Sequence, residues 1–301
     1  MNDRGLGQSG TFYTYHPGVN LLYYLFTIGI TMFSMSPLFL CVGFSLSFAY
    51  SYILNGSKDI KQNLRLTVMI VITMALINMF FTHNGESVLF YINSNRITLE
   101  ALFYGIVAAF MLTAVLIWFK SFTVIMSGDK IIYLFGKAAP VIGLVISMIF
   151  RFMPLLKNRF DEIDTGQKCM GKGNIKSTIP KIRQISKEVS ILVAWSLEAS
   201  IESADSMASR GYGLKGRSSF HLFKFEKRDV LATAYILIFG IAAVIGCFNG
   251  YGGMVFYPKI IFPQISLPQM VTLISYIMLA VMPIVIDIIG EYRWEKLHST
   301  I

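Results

Sequence analysis

Hydrophobic residues in this chain are gathered into long, nearly uninterrupted runs instead of alternating with polar residues. Six of the runs are long enough for the helix of ~20 residues that crosses the hydrocarbon core of a bilayer. They span residues 19–35, 37–54, 64–81, 97–119, 230–247 and 270–289. The pattern therefore predicts an all-α integral membrane protein with about six transmembrane helices.

The composition agrees with a membrane protein and bears on its partners. The 301 residues are 54% hydrophobic and only 14% charged, whereas soluble domains carry about 25% charged residues. A formal net charge of +9 could indicate a nucleic-acid partner, but an excess of Lys and Arg on the cytoplasmic side is ordinary for membrane proteins. We therefore expect the lipid bilayer as a partner and no nucleic acid. The three widely separated cysteines predict neither a disulfide framework nor a metal site.

A long segment, residues 120–228, separates the fourth run from the fifth and decides the topology. Residues 151–228 hold 15 of the 26 Lys and Arg residues, and the apolar run at residues 138–150 is short for a span. If that run does not cross and the N-terminus is cytoplasmic, 24 of the 26 lie inside, against 18 for the best seven-span arrangement. Without residues 151–228, the count is 9 of 11 against 3 of 11. The run is therefore predicted to lie along the membrane.

Hydrophobic periodicity predicts two long helices within this insertion. The first begins near Pro140, and Pro154 in Arg151-Phe152-Met153-Pro154 should kink it. Beyond the kink the helix becomes charged, and the glycines of Gly171-Lys172-Gly173 should stop it.

The second helix of the insertion begins near Thr178, with Pro180 in its first turn, and runs to Arg210. At 1.5 Å per residue it would be roughly 50 Å long. Small residues four apart let two helix backbones approach closely, so we predict that this helix crosses the first one. The predicted crossing residues are Ser196, Ser200, Ala204 and Ala208.

The two helices of the insertion end alike, each with a small residue, a cation and a glycine. The ends are Gly171-Lys172-Gly173 and Ser209-Arg210-Gly211. For one such end the simplest interpretation is structural, because a cation stabilises the helix dipole and glycine caps the helix. Two matched ends favour a second interpretation, in which a pair of cations docks on two similar partner surfaces.

These elements resemble the T components of energy-coupling factor transporters, including their cobalt-uptake relatives, over nearly the whole chain from His16 onward. Ser209-Arg210-Gly211 resembles the second of two Ala-Arg-Gly-like motifs in that family, and Gly171-Lys172-Gly173 is similar to the first. Residues 151–156 resemble its Arg-Phe-x-Pro segment, and His16-Pro17 resembles its Asp/His-Pro start. Lys172 departs from the usual arginine, and lysine cannot make the planar bidentate contact of a guanidinium.

The resemblance implies a non-catalytic subunit in the cell membrane that links two cytoplasmic ATPases to a substrate-binding membrane protein, the S component. The machine would take up a vitamin or a transition-metal ion, with the ATPases docked on Lys172 and Arg210. The chain would need no cofactor of its own because the partners bind ATP, and it contains no Gly-x-x-x-x-Gly-Lys-Ser/Thr phosphate loop. The implied regions are a cytoplasmic tail (1–18), four transmembrane helices (19–119), a cytoplasmic coupling domain (120–228), two further transmembrane helices (229–290) and a C-terminal tail (291–301).

Two other functions remain open at this point. A conventional ABC permease with its own substrate path would suit Glu198-Ala199-Ser200, although the rest of the usual cytoplasmic loop motif is missing. An intramembrane enzyme would need polar groups converging inside the spans, and Asp287 is the clearest ionisable residue there. Its neighbours Glu291 and Arg293 favour snorkelling to the interface or a local ion pair.

Overall fold

The structure is a computed structural model that describes residues 10–82, 85–92, 95–138, 140–172, 178–214, 223–261 and 266–298. The chain divides into two compact units. Unit 1 combines Met1–Ile131 with Phe223–Ile301, and unit 2 is Ile132–Leu222.

Unit 1 contains six long helices, one for each of the predicted spans. They are α1 (Pro17–Phe33), α2 (Pro37–Asn55), α3 (Ser57–Phe81), α4 (Leu99–Ile125), α8 (Lys227–Phe248) and α9 (Leu267–His298). The short helix α5 (Gly128–Ala138) follows α4, and α6 (Pro140–Gln167) and α7 (Thr178–Ser209) belong to unit 2. The protein is therefore an all-α membrane protein, as predicted.

A hairpin that the hydrophobic runs do not predict joins α3 to α4. Strand β1 (Val88–Ile92) pairs antiparallel with β2 (Asn95–Thr98). The Thr98 side chain accepts a hydrogen bond from the Ala101 amide and so caps α4. The fourth run was predicted to start at Ile97, which lies in β2 instead because its β-branched and aromatic neighbours suit a strand.

The six helices of unit 1 alternate in direction, so their connections gather at two ends. At one end, the amides of Met35 and Ser36 both donate to the carbonyl of Gly252 at 2.9 Å, and Lys259 pairs with Glu86 at 2.8 Å. The opposite end collects the start of α1, the end of α4, the start of α8 and the end of α9. We call the first the hairpin end and the second the insertion end.

Length and composition identify six helices in the described residues that could cross a bilayer, but not quite the predicted six. The set includes Val141–Met170, whereas α1 falls just short with 17 residues. The apolar part of α6 exceeds the predicted run of 138–150 because the helix continues through Arg151 and Pro154. That this part lies along the membrane remains a prediction, as does the kink at Pro154.

Aromatic side chains fill the centre of unit 1. Trp118 of α4 is fully buried and lies between rings from α1 and α2. Its partners are Tyr23, Tyr24 and Tyr50, with ring centroids 6.0–6.5 Å away. Offset and edge-on contacts of this kind add about 0.5–1.5 kcal/mol per pair beyond burial. These contacts hold α1, α2 and α4 together.

A buried polar network joins α2, α3 and α4 near the insertion end. Asp59 of α3 accepts hydrogen bonds from the Ser51 hydroxyl at 2.7 Å and from the Lys120 ammonium. Asn63 donates to Ser51 at 2.8 Å and accepts from Lys120 at 3.1 Å. Each charged group therefore has an opposite charge and a polar neighbour, which offsets the cost of burying it.

We expect Lys120→Met to destabilise the protein by about 1–3 kcal/mol, because it removes the opposite charge from the largely buried Asp59 carboxylate while Lys120 itself is one-third exposed. The measurement is thermal unfolding of the purified protein in detergent. Lys58→Met serves as the control because Lys58 is exposed one residue before Asp59. The double variant Asp59→Asn/Lys120→Met should recover part of the loss. Equal unfolding midpoints for Lys120→Met and Lys58→Met would contradict the role of this pair.

Candidate functional site

Unit 2 is narrower than the predicted insertion of residues 120–228, and from here on the insertion means unit 2, residues 132–222. Its two long helices contact each other through one face of α7. The Arg159 guanidinium of α6 lies over the Trp195 ring of α7, 5.3 Å from its centroid. Nearer the N-terminus of α7, Glu188 is only 2% exposed and accepts a hydrogen bond from Gln184 at 2.8 Å. Glu188, Trp195 and Ala199 recur at helical spacing, so this face of α7 is turned toward α6.

Beyond Trp195 the two helices leave a groove of about 480 Å³ between them. Its α6 wall is apolar, and its α7 wall contains Trp195 and small residues. Ser196 and Ser200 of the predicted crossing stripe line the groove, whereas Ala204 and Ala208 are exposed. The contact with α6 thus lies nearer the N-terminus of α7 than the predicted stripe implies. The predicted helix crossing at Ala204 and Ala208 remains a prediction.

Both helices of unit 2 expose rows of apolar residues. On α7 an exposed stripe outside the groove repeats every four residues through Val189, Val193, Leu197 and Ile201. On α6 an exposed stripe consists of Val141, Val145, Ile149 and Met153, and its last three residues also line the groove. Contiguous apolar surface of this kind marks an interface with a protein or a membrane.

The tip of α7 has the hydrogen-bond pattern of a Schellman C-cap. The Tyr212 amide donates to the Met207 carbonyl at 3.0 Å, and the Gly211 amide donates to the Ala208 carbonyl at 3.0 Å. Gly211 has a φ of +80°, a conformation that only glycine adopts without strain. Arg210 is the residue at which the helix ends, and its side chain is exposed.

The backbone cap therefore accounts for Gly211, whereas the structural interpretation gives Arg210 only a favourable interaction with the helix dipole. Among the described residues, no ion pair includes Arg210. A helix C-terminus needs no arginine to close a Schellman cap, since all of its hydrogen bonds come from the backbone. The guanidinium is consequently available to a partner.

The tip of α6 is different in local structure. The α-helix ends at Gln167, and a wider π-helical turn, Lys168–Lys172, continues the chain through Gly171 and Lys172. Gly173 lies outside the described residues. Just before the tip, Lys168 pairs with Asp164 at 2.5 Å, and the carboxylate of Asp164 raises the pKa of this lysine.

The remaining predicted residues, Arg151 and Pro154, both lie on α6 and are exposed. The Arg151 guanidinium lies 5.7 Å from the ring centroid of its neighbour Phe152, which also lines the groove. Pro154 lies inside a helix that continues to Gln167.

The expectation that Asp287 snorkels to the interface is wrong, and among the described residues no ion pair includes its carboxylate. Asp287 is 1% exposed, and its carboxylate accepts a hydrogen bond of 2.7 Å from the amide of Phe12. Sequence spacing offered no signal for this contact because it joins residues 275 positions apart. It belongs to a set of charged contacts with the N-terminal residues, and the other members are Lys130, Arg228 and Asp229.

The described residues thus form a multi-pass helical bundle, with a separate unit of two long helices inserted before its last two helices, which is the architecture of an integral membrane protein. The profile of the cobalt transport protein family, CbiQ, matches residues 12–222 of this chain. The chain therefore belongs to that family, the T components of energy-coupling factor transporters.

Curated relatives carry a matching description, "energy-coupling factor transporter transmembrane protein EcfT". The protein of Streptococcus equi subsp. equi is 28% identical over 208 residues, which is 64% of this chain and 73% of that protein. The protein of Lactococcus lactis subsp. cremoris is 28% identical over 210 residues, 65% of this chain and 75% of that protein. The Streptococcus thermophilus protein is 33% identical over 117 residues, 37% of this chain and 43% of that protein.

We expect Gly211→Ala to loosen the tip of α7 by about 1 kcal/mol, because alanine is strained at a positive φ. Amide hydrogen exchange of residues 205–214 should then be several-fold faster than in the wild type. Gly166→Ala is the matched control, since a Cβ there would meet nothing within 4 Å and alanine favours a helix. Unchanged exchange in Gly211→Ala would show that the cap does not hold the tip.

Proposed function

We propose that this chain is the coupling subunit of an ATP-driven importer. Unit 1 holds a small substrate-binding membrane protein, the S component, and unit 2 engages two cytoplasmic ATPases through its tips. Movement of the ATPases during hydrolysis is transmitted through α6 and α7. The chain itself binds no ATP and needs no cofactor.

The extent of the family match is the observation that carries this proposal. The match begins in the N-terminal residues, covers four bundle helices and includes all of unit 2 with both tips. A conventional permease would resemble such a family only in the apolar composition of its transmembrane helices, and it would not match the family in unit 2. The match of a whole insertion with two basic tips supports the coupling role over a permease or an intramembrane enzyme.

The distribution of charge supports a cytoplasmic position for the insertion end in the plasma membrane. Lys120 and Lys130 lie there, and so does Arg228. Arg96 and Lys259 belong to the hairpin end. Because Lys and Arg concentrate on the cytoplasmic side of membrane proteins, the insertion end faces the cytoplasm.

Exposed apolar stripes on both helices of unit 2 support a second protein contact besides the ATPases. A soluble ATPase surface would suit the basic tips, whereas the apolar stripes suit the S component or the bilayer surface. The transported compound is a vitamin or a transition-metal ion, and the S component selects it.

Purification of a tagged copy of the chain in mild detergent tests the coupling role. We expect two ATPase polypeptides and one small membrane protein to purify with it. An ordinary permease would bring ATPases without a separate small membrane protein, and an enzyme would bring neither. Either result would contradict the proposal.

The ATPase contact is tested by substitutions at the two tips. We expect Arg210→Ala to release ATPase or abolish uptake, because removing one member of a buried charge pair costs about 2–5 kcal/mol, against about 1 kcal/mol for a cap. Arg210→Lys should retain only part of the function because it loses the planar fork. Lys172→Ala should reduce assembly less than Arg210→Ala, and Lys172→Arg should be tolerated.

The readouts are co-purification of the ATPases and uptake by intact cells. Arg183→Ala provides the control, because Arg183 is an exposed arginine near the other end of α7. Wild-type assembly and transport in both alanine variants would leave the tips as helix caps only.

A further inference from the structure

The residues just before α1 lie against the insertion end of unit 1. We call residues 10–16 the N-terminal segment. It contains a short 3-10 turn, Phe12–Thr14, and the Phe12 side chain is fully buried, with its ring 5.3 Å from that of Tyr23 in an edge-on contact. Thr11 packs on α9 at Gly290, where an added Cβ would overlap the threonine hydroxyl. The N-terminal segment is thus an integral part of the bundle.

Four charged side chains from three different helices hold the backbone of this segment. Asp287 of α9 accepts from the Phe12 amide at 2.7 Å. Lys130 of α5 donates to the carbonyl of Tyr13. Two residues of α8 complete the set: Arg228 donates to the Thr14 carbonyl at 3.4 Å, and Asp229 accepts from the His16 amide at 3.1 Å.

Three of these four charged residues are themselves buried. Lys130, Asp229 and Asp287 are each 1% exposed. A buried charge is tolerated only where it is paired or hydrogen-bonded, and the segment supplies one of the hydrogen bonds of each of these residues. Burial lowers the pKa of Lys130 to about 8, and the ammonium form, which still predominates at pH 7, also donates to the Ile125 carbonyl at 3.1 Å.

The residues that contact the N-terminal segment lie on both sides of unit 2 in the sequence. Lys130 immediately precedes unit 2, which begins at Ile132, whereas Arg228 and Asp229 follow shortly after unit 2 ends at Leu222. Asp229 also bonds to the Glu226 amide at 2.9 Å and so caps the first turn of α8. One seven-residue segment therefore binds the chain on both sides of the insertion.

We propose that the N-terminal segment is a clasp, a segment that fixes the two ends of the insertion relative to each other. When its hydrogen bonds on one side of the insertion are lost, the backbone on the other side opens more readily as well. Because its partners bond to backbone atoms, the clasp depends on the path of the segment more than on its side chains. For a coupling subunit, a stiff attachment would pass movement of the insertion to α8 and α9. That last step rests on the proposed function, whereas the clasp itself does not.

Hydrogen exchange on the full-length protein in detergent tests the clasp. Lys130→Met keeps the length of the side chain and removes its charge. We expect exchange roughly tenfold faster or more in residues 10–16, because a lost hydrogen bond to a charged group corresponds to about that factor. Residues 223–229 should also exchange faster, although the substitution is in α5.

A reciprocal pair and a control sharpen the test. Arg228→Met should accelerate exchange in residues 126–131, and Asp287→Asn should accelerate it on both sides of the insertion. Lys227→Met, at an exposed neighbour of Arg228, should leave both regions as in the wild type. If Lys130→Met fails to fold, the Arg228→Met and Asp287→Asn variants decide the question.

The clasp is overturned if each substitution changes exchange only in its own helix and in residues 10–16. It is also overturned if residues 99–110, at the hairpin end, accelerate as much as residues 223–229, because that result shows general destabilisation. In the assembled transporter, Lys130→Met should lower the substrate taken up per ATP hydrolysed while ATPases still co-purify. Absence of ATPases from the wild-type preparation would contradict the proposed function and leave the exchange result standing.

Discussion

The interior of a bilayer offers no water to satisfy a backbone amide or carbonyl, and this constraint shapes most of the chain. Within each long helix of unit 1, the backbone amides and carbonyls hydrogen-bond to each other. At the helix ends, where such partners run out, side chains provide the hydrogen bonds. The Thr98 hydroxyl caps α4, and a reciprocal pair of hydrogen bonds between Glu226 and Asp229 caps α8. Among the described residues, strand pairing occurs at the hairpin end, where the backbones of β1 and β2 hydrogen-bond to each other. The result is a bundle whose two ends differ in character.

The same constraint explains where charge can be buried. Asp59 and Lys120 form an ion pair where α2, α3 and α4 meet. The Asp287 carboxylate accepts a hydrogen bond from the backbone amide of Phe12. In each case the charge is used to join elements that are distant in sequence, because a carboxylate or ammonium without a partner would be too costly. Unit 2 differs from unit 1 because it exposes apolar stripes and an arginine, Arg210, that takes no part in the hydrogen bonds of its helix cap. A stable bundle combined with an incompletely covered insertion fits a subunit that works by binding partners.

Sequence reasoning predicted the helices well, because long apolar runs and glycine or proline punctuation are local signals. The predicted second helix of the insertion, from Thr178 to Arg210, matches α7 almost to the residue. The hairpin before α4 was missed because its strands are short and one merges with an apolar run. The burial of Asp287 was missed because its partner lies at the other end of the chain. The position of the helix contact at Trp195, beside the small-residue stripe, could not be foreseen because several faces of α7 are apolar.

The proposed contact between the tip of α7 and an ATPase can be detected by photocrosslinking from that tip. Tyr212, two residues beyond Arg210, would be replaced by a photoreactive phenylalanine analogue, with Phe248 at the hairpin end as the control position. On irradiation of the assembled transporter in its membrane, we expect the probe at position 212 to join the chain to an ATPase subunit and the probe at position 248 to give no such product. Crosslinking from position 212 to lipid or to the substrate-binding protein, and never to an ATPase, would contradict the account.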